Sequence, residues 1–521
     1  MLDIRDFKNY LSGNTPSPNQ LVYGLIYFFI FLKFILDIYN QYNLYSWANF
    51  PLGWDSVFYA ANASIIIEKG GLLYLLQGTR FYLYNVILVI LGEFFPVTRL
   101  QIIIPILFSI VYAVLSSFLV KRYTGSRLLA LLSSFISIFS IRNCQLVSMF
   151  NANLLFFIFL ILFSVLLPNS INESFNLKSL ILVGALMAFS HLFSSLFFGF
   201  SFLFFIGPYY HLILDRVKKT KIFLYFIPIF FFVVALNYQH IFFLLDGFVN
   251  GSLSGDSYWF HSVNWIDYTQ IYNRTTVGAC CVIVSSFVCL VFSSDNSSLR
   301  FLSIFSCIVL LFPIPFIFLQ YSIPPVRILL LCQYQVMIPV AFFLVYKFLN
   351  LDIRLISGRR TFYFNPRFVV PILGLVLFLM LFSSTMENYR GSVEVNFKPH
   401  ITESSYNLLK ELRNKVDLGE IVNPVLVYYG SPGHAKFWDF IADLTLGVHY
   451  SYYGLLEDAR ELTPPDELSY LDGTELVRAR FLFSFDDYDS ESQLTFVVFD
   501  KFYGANSPDL VFIDGTYIEV S

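Results

Sequence analysis

Residues 98–127 read TRLQIIIPILFSIVYAVLSSFLVKRYTGSR. From Leu100 to Val120 the stretch carries no charged side chain, and about 20 apolar residues are what a helix needs to cross the hydrocarbon of a bilayer. The run closes on Lys121, Arg122 and Arg127 around Gly125. Cations at a span end are retained on the cytoplasmic side. The stretch therefore predicts a membrane-crossing helix whose C-terminal end faces the cytoplasm.

Working outward, the same pattern recurs along the chain. Hydrophobic residues make up 57% and aromatic residues 19% of the sequence, against 13% charged. Mean hydropathy is +0.66. Such a balance excludes an ordinary soluble domain and gives no basic surface for nucleic acid. Apolar runs of spanning length lie near 21–41, 98–120, 127–142, 153–168, 178–191, 192–212, 222–238, 276–292, 301–319, 328–346 and 368–385, about eleven in all. The expected fold is an α-helical multi-pass membrane protein. Phe81 to Phe95 is too short and too close to the first span for a further crossing, and reads as a re-entrant or interfacial helix.

Orientation follows from the cations. With the N-terminus inside, the inner loops receive Arg5, Lys8, Lys121, Arg122, Arg127, Lys178, Arg216, Lys218, Lys219, Lys221, Arg300, Lys347, Arg354, Arg359, Arg360 and Arg367. The outer loops receive only Lys69, Arg80, Arg99, Arg142, Arg274 and Arg327, with Lys33 inside the first span. Residues 387–521 hold 23 acidic and 10 basic side chains, leaving 13 and 23 for residues 1–386. Two domains are expected: a transmembrane module over 1–386 and a soluble extracytoplasmic domain over 387–521. Residues 1–20 lack the pattern of a cleaved signal peptide. The six cysteines lie in or beside apolar runs, which offers neither a disulfide framework nor a zinc pattern.

The first outer loop carries Gly53-Trp54-Asp55-Ser56-Val57-Phe58-Tyr59. Asp55 has two readings: it caps a helix beginning there, or it is a carboxylate placed for chemistry at a membrane face. The outer loop near 239–275 adds Asp246, Asp256, Asp267 and Tyr258-Trp259-Phe260-His261. These loops either form a lid over a lipid-linked substrate or pack on one another.

This organisation resembles the GT-C superfamily of membrane glycosyltransferases, in the protein-mannosyltransferase-like and aminoarabinose-transferase-like pattern. The resemblance rests on Gly53 to Tyr59, Glu68-Lys69-Gly70-Gly71, Phe81-Tyr82-Leu83-Tyr84-Asn85 and the inner turn Lys121 to Arg127. It implies transfer of a sugar from a polyprenyl-phosphate donor to a protein, lipid or glycan acceptor at the outer face. Asp55 would be the catalytic base, with Tyr59, Glu68, Lys69 and Asn151 as substrate-binding residues. Where mannosylating members carry a second acidic residue, Asn151 stands in Met149-Phe150-Asn151-Ala152-Asn153. Asn neither accepts a proton at neutral pH nor matches a carboxylate as a metal ligand. The resemblance thus fixes no cofactor, and Asn151 in place of the carboxylate argues against a divalent-metal site of the oligosaccharyltransferase kind. Asn151 also reads as a helix cap.

By the same resemblance His191, closing Gly184-Ala185-Leu186-Met187-Ala188-Phe189-Ser190-His191, and Arg327, following Ser322-Ile323-Pro324-Pro325-Val326, would bind the donor phosphate. A guanidinium fork at headgroup level suits phosphate oxygens. The plainer readings are a packing histidine and an arginine snorkelling to lipid headgroups.

In the tail, Ser404 to Val416 and Ala435 to Leu446 read as helices. Pro424 to Tyr429, Thr495 to Phe499 and Leu510 to Ile513 read as strands, the last turning at Asp514-Gly515 into Thr516 to Val520. The expected domain is small and α/β. Gly430-Ser431-Pro432-Gly433 reads as a plain turn, Asp486, Asp487, Asp489 and Glu491 as a solvated cluster or a calcium site, and Asn250 and Asn273 as glycan acceptors or chance sequons. A transporter or flippase of a lipid-linked sugar is the alternative function.

Overall fold

A computed structural model describes residues 18–47, 52–75, 83–167, 177–207, 296–311, 337–347 and 389–399, strands between 424 and 516, and scattered positions from 376 to 419. In chain order the helices are α1 Pro18–Leu44, α2 Trp54–Glu68, α3 Leu72–Leu75, α4 Leu83–Gly92, α5 Val97–Thr124, α6 Arg127–Phe139, α7 Ile141–Ser148, α8 Asn151–Leu166, α9 Leu177–Ser190, α10 Leu192–Ile206 and α11 Ser297–Leu311. They continue with α12 Met337–Lys347 and α13 Tyr389–Asn396.

Among the described residues the protein is mostly helical, and two helices, within α1 and α5, are long and apolar enough to cross a membrane. The α5 helix overlies the run at 98–120 and ends on Lys121 and Arg122. Helix α4, with 10 residues, is about 15 Å long, half the hydrocarbon thickness. The runs near 222–238 and 276–292 and most of 368–385 lie outside the described residues. The run at 127–142 is divided: Ser140 closes α6 and its side chain accepts the Asn143 N–H to open α7. A Ser beside a helix start competes for backbone donors in this way. The runs at 178–191 and 192–212 are separated at His191.

The chain divides into two compact units. The first comprises residues 1–41, 73–87 and 103–397. At its centre lies α8, with Leu154, Phe156, Phe157, Leu160 and Ile161 fully buried. A helix apolar on every side belongs inside a bundle. Phe163 meets Phe198, Phe202 and Phe301 at centroid distances of 5.0, 5.6 and 5.3 Å, which joins α8, α10 and α11. A further core joins Val120, Ile136, Ile338 and Phe342.

Polar bonds collect the helix ends into two sets. At one end, Arg122 at the close of α5 donates to the Val165 carbonyl near the close of α8. Next to it, the Tyr123 hydroxyl bonds Ser298 at the start of α11. At the other end, Tyr389 on α13 donates to Asp37 in the last third of α1 at 3.1 Å. Its ring packs edge-on against Phe139 at 4.8 Å. There too Ser194 of α10 donates to Asn153 of α8.

The second unit comprises residues 42–72, 88–102 and 398–521, so the segment after α1 clusters with the C-terminal region. The Trp47 ring lies tilted at 52° with its centroid 5.7 Å from that of Tyr406, and the Lys410 ammonium sits 4.3 Å from the Tyr406 ring. Described positions from 403 to 414 are helical. Gly92 allows α4 to close on α2: a Cβ there would lie 2.5 Å from Ile67 Cδ1 and 2.9 Å from Val97 Cγ2. Ile67 can shift its terminal methyl, but β-branched Val97 is stiff. Gly92→Val is therefore expected to cost about 1–3 kcal/mol. Thermal melting followed by size-exclusion chromatography would register it, and an unaltered midpoint would show that the contact yields freely.

Five strands pair in the order β3-β2-β1-β4-β5: β1 Pro424–Tyr429, β2 Gly454–Glu457, β3 Arg478–Phe481, β4 Gln493–Phe499 and β5 Leu510–Thr516. β1 pairs parallel with β2 and β4, and the outer pairs are antiparallel. One expectation is corrected. Asp514-Gly515 is no turn: the pairs Thr495↔Asp514, Leu494↔Gly515 and Gln493↔Thr516 carry β5 straight through it. An Asp-Gly pair favours reversal only when the chain can fold onto itself, and here β4 offers a full ladder instead.

Candidate functional site

In the second unit the Asp55 segment is shaped by backbone. The N-cap of α2 is Gly53, with φ of 101° and no side-chain cap bond. A positive φ at that value favours glycine. Just before it, the Leu52 N–H donates to the Tyr42 hydroxyl at 3.3 Å, tying the end of α1 to the entry of α2. Asp55 is thus the second residue of the helix and not its cap, which corrects the capping reading. A carboxylate in the first turn is favoured by the unpaired N–H groups there.

Tyr59 lies four residues on, which is the same face of the helix, and it is buried. Glu68 and Lys69 are exposed at the other end of α2, about 20 Å along the axis from Asp55 at 1.5 Å per residue. They do not share one sugar-sized site with it. The helix stops on two glycines with positive φ, 114° at Gly70 and 65° at Gly71. The Gly71 N–H returns to the Ile66 carbonyl at 2.7 Å, a left-handed C-terminal closure.

In the first unit, His191 is the N-cap of α10. Its Nδ1 accepts the Ser194 N–H at 3.1 Å, which assigns the ring proton of the neutral form to Nε2. The Ser194 hydroxyl lies 2.7 Å from the same Nδ1 and 3.1 Å from Asn153 Oδ1, so it is the donor that these two acceptors share. His191, Ser194 and Asn153 thereby close one network across α8 and α10. The hydrogen-bonded packing reading accounts for this nitrogen. Asn151 is fully buried, and its amide donates to the Leu146 and Val147 carbonyls at 3.3 and 2.7 Å. It therefore caps the C-terminal end of α7, whereas Phe150 is the N-cap of α8.

Arg327 lies outside the described residues, as do the outer loop 239–275, the turn 430–433, the helix expected over 435–446, the acidic cluster 486–491, and Asn250 and Asn273. No group of three or more His, Cys, Asp or Glu side chains suited to a metal occurs among the described residues.

Sequence reasoning missed two polar clusters in the first unit. One is Lys33, Asp37 and Tyr389: Lys33 pairs with Asp37 on α1, and Asp37 accepts from Tyr389. Beside it, burial pushes the Cys144 thiol up to about 12 despite a Ser392 hydrogen bond. Burial, with Cys144 and Asp37 nearby, also raises the Tyr389 phenol. A thiol raised from 9.0 stays neutral at pH 7 in both folded and unfolded chains. It withdraws stability only above pH 9, where the unfolded chain ionises first. The other cluster is Ser109, Ser140 and Asn143, wholly buried. The signal for both lies in isolated polar residues within or just beside apolar runs: Lys33, Asp37, Ser109 and Ser140 within them, Asn143 and Tyr389 just past their ends.

The chain matches no family model and no curated protein sequence.

Proposed function

We propose that the chain is a multi-pass membrane glycosyltransferase of the GT-C type, with about eleven spans and an extracytoplasmic α/β domain over 387–521. It moves a sugar from a polyprenyl-phosphate donor to an acceptor at the outer face. The observation that carries this reading is Asp55 in the first turn of α2, directly after an apolar helix of spanning length and in one compact unit with the C-terminal region. Supporting it, the helix ends that the cation pattern assigns to the cytoplasm bond one another through Arg122 and Tyr123. The ends it assigns outside bond through Asp37, Asn153 and Tyr389.

In the reaction, the acceptor's hydroxyl or amide proton passes to the Asp55 carboxylate as its heteroatom forms a bond to the anomeric carbon. The bond from that carbon to the phosphate oxygen breaks on the opposite face, so configuration inverts. Arg327 neutralises the departing polyprenyl phosphate.

Transport of the same lipid-linked sugar is the second reading, favoured by the Lys33–Asp37 pair within α1, since ionisable groups inside spans mark transport pathways. Purified protein in liposomes, given polyprenyl-phosphate sugars and candidate acceptors, distinguishes the two. Transfer is expected, with Arg327→Ala slowing it about 10- to 150-fold, the worth of a charged hydrogen bond. Translocation without transfer would overturn the enzyme reading.

A further inference from the structure

We propose that two copies of this chain associate side by side through one stripe of α1. The helix buries Ile30, Phe34, Ile38 and Gln41 against its own unit. At 100° per residue, Val22, Ile26, Phe29, Lys33, Leu36 and Asn40 fall within a stripe about 80° wide to one side of that buried face. All six are exposed. Their spacing alternates four and three residues, which is the seam of a left-handed helix pair. Val22, Phe29 and Leu36 take one seam position, and Ile26, Lys33 and Asn40 the other.

The polar members identify what covers the stripe. Lys33 is near the middle of α1 and its side chain is 65% exposed, with Asp37 at 18%. Lipid tails are a poor neighbour for an ammonium at that depth. A second copy is a good one, because the pair is self-complementary. In a membrane both copies share one orientation, and a two-fold axis along the normal matches their heights. The Lys33 ammonium already reaches the level of Asp37 on its own helix, so it meets the same level on the other. Polar residues at such a seam position, here Lys33 and Asn40, select the register in which the two helices pair. The opposite stripe, Leu21, Phe28, Ile35 and Tyr39, is exposed and without charge, as are Ile103, Leu107 and Val111 of α5. Those surfaces suit lipid.

This inference needs α1 to cross the membrane but not the sugar-transfer reading, so either can fail alone. The test introduces Phe29→Cys or Leu36→Cys on the stripe and Phe28→Cys or Ile35→Cys on the opposite one, with oxidative cross-linking in intact membranes. A covalent dimer is expected from the first two only, above the background of the parent chain. In lipid nanodiscs the unmodified protein is expected at twice the mass of one chain. Equal cross-linking on both stripes, cross-linking to a different protein, or a single-chain mass would overturn the proposal.

Discussion

Asp55→Asn is expected to reduce sugar transfer about 100- to 10,000-fold at saturating donor, the contribution of a positioned general base. That corresponds to about 3–5 kcal/mol of barrier. The substitution suits the position. Asn has nearly the shape of Asp and is also tolerated in the first turn of a helix, so α2 behind Gly53 should still form. What it loses is the ability to take a proton from the acceptor. The reading therefore predicts a fall in turnover with little change in donor affinity, because the donor phosphate is assigned to Arg327. Asp55→Glu should recover part of the rate, since the carboxylate returns on a longer stem. Transfer by Asp55→Asn at the parent rate would remove the base assignment and leave Asp55 as a residue that only favours its helix. Donor affinity falling in parallel with turnover would instead make it a binding group.

Some of this was legible in the sequence, and the reasons differ by element. Helix α1 follows from apolar length, and α5 from apolar length together with the cations Lys121 and Arg122 in its last turn; both are one-dimensional signals. The breaks at Ser140 and His191 are weaker ones, since a capping side chain reveals itself only through the N–H it binds. Asp55 was found by position, but its relation to the helix was misread because Gly53, and not a polar side chain, starts α2. Strands β2 and β3 were missed: at four residues each, they have too little alternation to stand out from loop. Asn151 was noticed for what it replaced, and its contact with the α7 carbonyls depends on a helix reversal that spacing does not encode. The Asp37–Tyr389 bond joins residues more than 350 positions apart, which no local pattern reaches.

The largest effect on stability is expected from Asn143→Asp. Asn143 is fully buried, and its two amide atoms are used in opposite senses. Oδ1 accepts from the Ser109 hydroxyl at 2.8 Å, and Nδ2 donates to the Ile138 carbonyl at 2.8 Å. Its own N–H closes the Ser140 cap at 3.1 Å. One side chain therefore joins α5 to α7 and secures the break between α6 and α7. In the aspartate variant the Nδ2 donor becomes an oxygen facing the Ile138 carbonyl. A neutral acid can repair that contact by donating its proton, whereas the ionised form can only repel it. Either the carboxyl stays protonated or a charge is buried without a partner, which costs several kcal/mol. The sign of the pH dependence follows. The folded chain holds the proton more tightly than the unfolded one, so the variant should be most stable at low pH. Its stability should then fall as pH rises past about 4, the ordinary carboxylate value. Asn143→Leu separates charge from hydrogen bonding: it leaves the Ser109 hydroxyl and Ile138 carbonyl unpaired at any pH, for about 1–3 kcal/mol each. Thermal melting of both variants between pH 4 and 8 should give a sloping line for Asp and a level one for Leu. A level line for Asp would mean that water reaches the α5–α7 contact, and the dry polar joint between these helices would have to be abandoned.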